Sequence, residues 1–129
     1  MSEHRGDEPR FDRVFFDRAA MCPGALLMGA SLRGLNLAGV DLTGANLTGA
    51  DLTGADLRGA SLFGAKLQDA DMAGADLRDA TLDSAVFEGT NLNNAVLVDA
   101  FAFNTKFRDV SIEGADFSNV PLRADALKA

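Results

Sequence analysis

The chain has 129 residues, which is the size of one domain, and its hydrophobic content of 47% is sufficient for a buried core. Its net charge of −7 argues against a general binder of nucleic acids or of anionic membranes, because both attract cationic proteins. The single cysteine, Cys22, excludes an internal disulfide and suits a reducing compartment.

Residues 1–8 are polar and show no periodicity, so we expect a flexible N-terminal tail there. No basic start is followed by an apolar segment, as it would be in a secretory signal. No apolar run reaches the ~18 residues that a membrane span needs. The sequence therefore predicts a cytoplasmic protein without membrane contact.

Between residues 9 and 24 apolar side chains recur at intervals of five, at Phe11, Phe16 and Met21. The longer repeat that follows has its first central residue at Leu27, which is out of phase with them by one position. The sequence therefore predicts most of one coil in residues 9–24, with a one-residue register shift near 22–24. We place the shift in a bulge at Pro23–Gly24.

From Ala25 to Ala124 the chain repeats a unit of five residues without interruption. Each unit has a central apolar residue, and 14 of the 20 central residues are leucine. Two residues before the centre, 14 of the 20 positions hold alanine. The other central residues are Met72, Phe87, Ala102, Phe107, Ile112 and Phe117.

A period of five fits neither regular secondary structure. In an α-helix the central residue would move around the axis by about 140° per unit, so no face would stay buried. In a continuous strand an odd period would alternate the central residue between the two faces. The pattern works if each unit is a short extended piece with two inward residues, followed by a corner.

The residue two positions after each centre supports a corner. There, 11 of the 20 units hold glycine, three asparagine and four aspartate, the residue types that best tolerate a positive φ. A type II turn requires a positive φ at its third residue. A turn every five residues coils the chain into a solenoid, the architecture typical of fixed-period repeats.

This pattern resembles the pentapeptide-repeat family. The resemblance implies an all-β fold, a right-handed, four-sided parallel β-helix with four units per coil, and we expect about 5–6 coils over residues 9–120. The same register implies four stacks of central residues, here called faces 1 to 4. Face 1 is Leu27, Leu47, Leu67, Phe87 and Phe107; face 2 is Leu32, Leu52, Met72, Leu92 and Ile112. Face 3 is Leu37, Leu57, Leu77, Leu97 and Phe117; face 4 is Leu42, Leu62, Leu82, Ala102 and Leu122.

Residues 121–129 begin with a proline, and the residues after it have a helix-forming composition. The end of a solenoid leaves strand edges and core exposed unless something covers them. We therefore expect residues 121–129 to form a short helical cap.

A polar ladder precedes the centres, and two interpretations of it are open. Its side chains either accept hydrogen bonds from backbone N–H groups at the corners, which we favour, or form an acidic recognition surface. The ladder is Asn36, Asp41, Asn46, Asp51, Asp56, Asp71, Asp76, Asn91 and Asp116. The candidate acidic face is Asp51, Asp56, Asp71, Asp76 and Asp79.

An apolar group in outward positions is the candidate protein interface: Val96, Val98, Phe101, Phe103 and Phe63, with Val86 nearby. Clustered exposed apolar side chains usually mark an interface. Because Ala102 is a central residue between two phenylalanines, a local register slip that turns one of them inward is an alternative. A third interpretation is that the C-terminal segment packs over the group.

We expect no enzyme activity, cofactor or metal, because the one histidine and the isolated serines form no catalytic or metal-binding pattern.

The predicted function is a non-catalytic rod that binds a protein partner or a second copy of itself through its C-terminal coils. The resemblance implies one alternative, an acidic mimic of duplex DNA that binds DNA gyrase or another topoisomerase. Similarity between residues 101–123 and cyanobacterial and chloroplast-lumen members implies another location, the thylakoid or periplasmic lumen, if the chain is part of a longer one.

Overall fold

The computed structural model describes residues 21–122, which wind into about five coils. Parallel bridges join residues that are 20 positions apart, for example Ser31 with Asp51 and Asp51 with Asp71. With a corner every five residues, each coil has four sides. The chain is therefore the four-sided parallel β-helix that the repeat predicts.

Two sides are long enough to form strands: β1, Val86–Glu88, and β2, Lys106–Arg108. They pair in parallel, with Phe87 opposite Phe107. Elsewhere each side contributes a single bridge because the next corner follows at once. The predicted tail at 1–8 lies outside the described residues, as do most of the coil at 9–24 and most of the cap at 121–129.

The core is the column of central side chains inside the coils. Every central residue from Leu27 to Leu97 is at most 2% exposed. The small residues two positions earlier are equally buried from Ala45 to Ala100, so four large side chains and four small ones fill each level of the interior. Near the C-terminal end, Phe107 stacks on Phe87 at 5.1 Å and meets Phe117 edge-on at 5.9 Å between ring centroids.

The corners have the predicted backbone. All corner residues from Gly24 to Asn119 have positive φ; 12 are glycine and eight are aspartate, asparagine or serine. In a typical corner the amide of Ala50 donates to the carbonyl of Leu47 at 3.0 Å. This is the bond of a type II turn.

The corner at Pro23–Gly24 is regular, while the register shift near 22–24 stays a prediction because the preceding coil lies outside the described residues. The amide of Gly24 donates to the carbonyl of Thr43 at 2.8 Å, so this corner is in register with the one at Thr43–Gly44. Proline and glycine are the favoured second and third residues of a type II turn, which explains a regular corner here. Just before this corner Met21 is buried and Cys22 is exposed.

Two threonines replace the small alanine without leaving a buried hydroxyl unpaired. The hydroxyl of Thr90 donates to the carbonyl of Leu67 at 2.6 Å, and that of Thr105 to the carbonyl of Leu82 at 2.7 Å. A buried hydroxyl without a partner would destabilise the fold, so these bonds allow threonine in the interior.

Gly89→Ala should destabilise the fold more than Gly49→Ala. Both glycines have φ +69°, so both substitutions carry the left-handed penalty of about 1–2 kcal/mol. A Cβ at Gly49 meets nothing, whereas a Cβ at Gly89 collides with Oδ1 of Asp69 in the coil below. Urea unfolding measures both. In an Asp69→Gly background the two substitutions should cost the same; a persistent difference would contradict this explanation.

Candidate functional site

The outward side chains form columns along the rod, because residues 20 apart lie one above the other. Adjacent coils of a parallel sheet are ~4.8 Å apart, so any surface on this fold is a ladder with that spacing. Residues 21–122 contain six lysines and arginines and 13 aspartates and glutamates, and so carry a net charge equal to that of the whole chain.

The polar ladder is used by the turns. At all nine positions Oδ1 of the side chain accepts a hydrogen bond from the amide two residues later, at distances of 2.9–3.2 Å. This confirms the interpretation that we favoured from the sequence. The aspartates and asparagines before the centres are therefore explained by turn formation.

Two candidate acidic residues on face 3 are paired with arginine. Arg58 binds Asp56 through both Nε and Nη2, at 2.9 and 2.7 Å, and Arg78 binds Asp76 in the same way. The side-chain bond from Arg58 lowers the pKa of Asp56, and that from Arg78 lowers the pKa of Asp76. Face 3 thus presents ion pairs at these levels rather than free carboxylates.

The remaining three candidate acidic residues do not form one continuous surface with Asp56 and Asp76. Asp51 and Asp71 lie one above the other on face 2. Asp51 accepts from the hydroxyl of Thr53 at 2.6 Å, which lowers its pKa, and Asp71 contacts Nδ2 of Asn91 at 3.3 Å. Asp79 is a corner residue with φ +62° between faces 3 and 4. The five residues are therefore spread over two faces and a corner.

Three phenylalanines project from face 4: Phe63 is 46% exposed, Phe101 57% and Phe103 71%. We call them the aromatic strip. Phe63 and Phe103 belong to one column, two coils apart, and Phe101 lies on the same coil as Phe103. The predicted interface residues Val96 and Val98 are half-buried on face 3, around the corner.

The alternative of a register slip at Ala102 is wrong. Ala102 is buried in the central position, and both flanking phenylalanines point outward. The backbone fixes this register, because Phe101 bridges to Thr81 and its amide donates to the carbonyl of Ala80 at 2.9 Å. The interpretation that the C-terminal segment covers the strip concerns residues outside the described range.

One feature of this surface was missed in the sequence. Phe101 cannot accept the turn bond that an aspartate provides, and Oδ1 of Asp83 in the coil below accepts from the amide of Phe103 at 2.9 Å instead. Asn93 does the same for the amide of Glu113. The signal was available for these two turns: each lacks its own aspartate or asparagine, and Asp83 and Asn93 lie 20 residues before Phe103 and Glu113.

Within residues 21–122 no helix is long and apolar enough to cross a membrane. The same residues contain no group of histidine, cysteine, aspartate and glutamate that could hold a metal ion.

The model of the family described as pentapeptide repeats matches residues 25–62, 60–99 and 85–123, with eight copies of the repeat. The chain belongs to this family of repeat proteins, whose fold is the right-handed quadrilateral β-helix. No curated protein matches the chain.

Solved structures agree with this assignment. A pentapeptide repeat protein from the thylakoid lumen of Arabidopsis thaliana is 39% identical with a TM-score of 0.80, over 85% of this chain and 76% of that one. A pentapeptide repeat protein from Nostoc PCC 7120 is 36% identical with a TM-score of 0.61, over 72% and 80%. QnrB1, a plasmid-mediated fluoroquinolone resistance protein, is 18% identical with a TM-score of 0.43, over 79% and 70%, which is too distant to support a functional argument.

We expect the fold to lose stability in acid. Hydrogen bonds in the turns lower the pKa of Asp41, Asp51, Asp56, Asp76 and Asp116 below the ordinary 3.8. A carboxyl whose pKa is lower in the folded chain stabilises the fold above its unfolded pKa, and this contribution is lost as the pH falls through the folded value. The urea midpoint should therefore stay level from about pH 7 to pH 5 and fall below about pH 4. Asp76→Asn should flatten the decline in part; a midpoint constant to about pH 2.5 would contradict the prediction.

Proposed function

We propose that this protein is a non-catalytic interaction module, a rigid rod that binds another protein through the aromatic strip. The observation that carries the proposal is the exposure of three phenylalanines on one face of a fold that buries its other phenylalanines of the described coils completely or in part. Exposed apolar groups that are clustered usually serve binding. The proposal places the protein in the cytoplasm, with a thylakoid or periplasmic lumen as the alternative.

The scaffold supports this role because it holds the strip in place without help from a partner. The backbone at Phe101 is bonded twice to the coil below, because its amide donates to the carbonyl of Ala80 and its carbonyl accepts from the amide of Leu82. An interface on such a backbone needs little ordering on binding, which lowers the entropic cost of association. The carboxylates of the polar ladder are used in turns and ion pairs, which supports a structural rather than a catalytic role for them.

Site-specific photo-cross-linking tests the proposal in cells of the native host. Phe103→p-benzoylphenylalanine should give discrete adducts with one partner protein. The matched control is Glu113→p-benzoylphenylalanine, because Glu113 is exposed at the same position of its repeat on face 2. Adducts from both positions alike, or from neither, would overturn the proposal. Light scattering during size exclusion shows whether the partner is a second copy, since Phe101→Asp would then convert a dimer to a monomer.

The alternative of a DNA mimic that binds gyrase is a separate proposal, and charge density argues against it. The five described coils extend over roughly 24 Å, a length in which duplex DNA presents about 14 charges. The described rod carries six basic and 13 acidic residues, and two of the acidic ones are neutralised by Arg58 and Arg78.

We therefore expect the protein not to inhibit supercoiling by DNA gyrase at micromolar concentration. A gel assay with relaxed plasmid measures this, with a known gyrase inhibitor as the positive control. Inhibition that is lost on Asp51→Asn and Asp71→Asn would instead establish the acidic-mimic function.

A further inference from the structure

Face 4 differs from the other three faces in the charge of its outward side chains within residues 21–122. Its outward positions contain no lysine or arginine within residues 21–122; they hold the aromatic strip, Asp41, Asp83, and serine, threonine and proline residues. Faces 1, 2 and 3 each carry at least one outward basic residue. Within residues 21–122 the strip therefore lies on the one face whose outward positions hold no lysine or arginine.

Carboxylates border the strip. Asp79 and Asp99 are corner residues one coil apart, between faces 3 and 4, and both are exposed with φ of +62° and +64°. Neither has an ion pair within the described coils. Asp83 lies between Phe63 and Phe103 in their column, and its Oδ1 is bonded to the amide of Phe103. Aromatic rings and negative charges thus alternate over three coils.

The size of the strip indicates what kind of partner fits. Three half-exposed phenylalanines offer on the order of 100 Å² each, far below the ~800 Å² per partner of a standard interface between folded proteins. A second copy of the chain would also bring an equal negative charge against this face. A short segment of opposite charge is a better match than another rod.

We propose that the aromatic strip with its acidic border binds a short extended segment rich in arginine or lysine from another protein. This inference rests on the proposed function and names the partner's chemistry. A guanidinium or ammonium group is attracted to the face of a phenylalanine ring. It also pairs with a carboxylate beside the ring, so alternate basic residues of an extended segment could reach Phe101, Phe103, Asp79 and Asp99. Apolar residues between them would cover the remaining ring surface.

The test uses the full chain and a fluorescein-labelled peptide in which arginine and leucine alternate. A peptide with glutamate in place of arginine is the ligand control. Fluorescence anisotropy should show saturable binding of the arginine peptide alone, weakened by added salt. Phe101→Ala should weaken binding about threefold to fivefold, the amount expected for one cation–aromatic contact. Phe101→Ala with Phe103→Ala should weaken it about tenfold or more.

The chain offers a matched control for the charge. Asp99→Asn should weaken binding about threefold, while Asp69→Asn should leave it within about a factor of 1.5. Both are exposed corner residues with positive φ, both lose one charge, and asparagine already occupies corners at Asn94 and Asn104. Equal losses at both positions would show unspecific attraction to an acidic rod and overturn the inference.

The result is separable from the proposed function. If the cross-links from position 103 form but the arginine peptide does not bind, the partner class is wrong and the interaction module stands. If neither occurs, both fail. Circular dichroism of each variant shows whether the fold is intact, and the conservative pair Asp99→Asn and Asp69→Asn keeps the test valid if the phenylalanine variants misfold.

Discussion

Leu52→Ala should lower the free energy of unfolding by about 2–5 kcal/mol, the range for removing a buried leucine side chain and leaving a cavity. Leu52 is fully buried, with Leu32 below it and Met72 above it on face 2. The neighbouring coils are held by backbone bonds on both sides, so they cannot move inward to fill the space. Denaturant unfolding monitored by circular dichroism measures the loss.

Ile112→Ala is the control. Like Leu52, Ile112 is a central residue of face 2, but it lies near the C-terminal end of the rod and is 37% exposed. A side chain that is already partly in water loses less on truncation, so we expect about 1 kcal/mol there. If the two substitutions cost the same, burial in the interior does not determine stability, and our description of the core is wrong.

The sequence predicted the core and the corners because both depend on local chemistry. A leucine at a five-residue spacing has one way to be buried when a residue with positive φ follows two positions later. This holds at Leu47 and Gly49, and equally at Leu77 and Asp79, where aspartate takes the left-handed conformation. The polar ladder followed from the same logic, since an aspartate two residues before a turn amide can accept its hydrogen bond.

The rest could not be predicted because it depends on how coils lie on one another. Phe101 and Phe103 both point outward because the amide of Phe101 donates to the carbonyl of Ala80, which is 21 residues away. The turn bond from Phe103 to Asp83 likewise joins two coils. Pro23 and Gly24 form a regular corner, as their turn preferences favour, and the register shift near 22–24 stays a prediction because it depends on residues outside the described range.

Ala75→Leu should destabilise the fold strongly, and its effect tests the geometry of the interior directly. Ala75 is fully buried, in a column of small residues with Ala55 below and Ala95 above. Extra methylene groups in a closely packed interior typically cost about 1–3 kcal/mol and sometimes more. Here the strain cannot be relieved along the rod, because the coils above and below have the same narrow space.

The sequence itself shows in which coils a larger residue can occupy the position two residues before the centre. Nine consecutive units from Ala45 to Ala85 keep alanine at this position, whereas Leu35 and Val40 occupy it in the first described coils and are buried there. The control is therefore Ala115→Leu, at the partly buried position of the same column in the last coil. We expect a change within about 0.5 kcal/mol at Ala115, the range usual outside packed cores. A tolerated leucine at Ala75 would mean that the interior is wider than four large and four small side chains require, and the alanine column would then need another explanation.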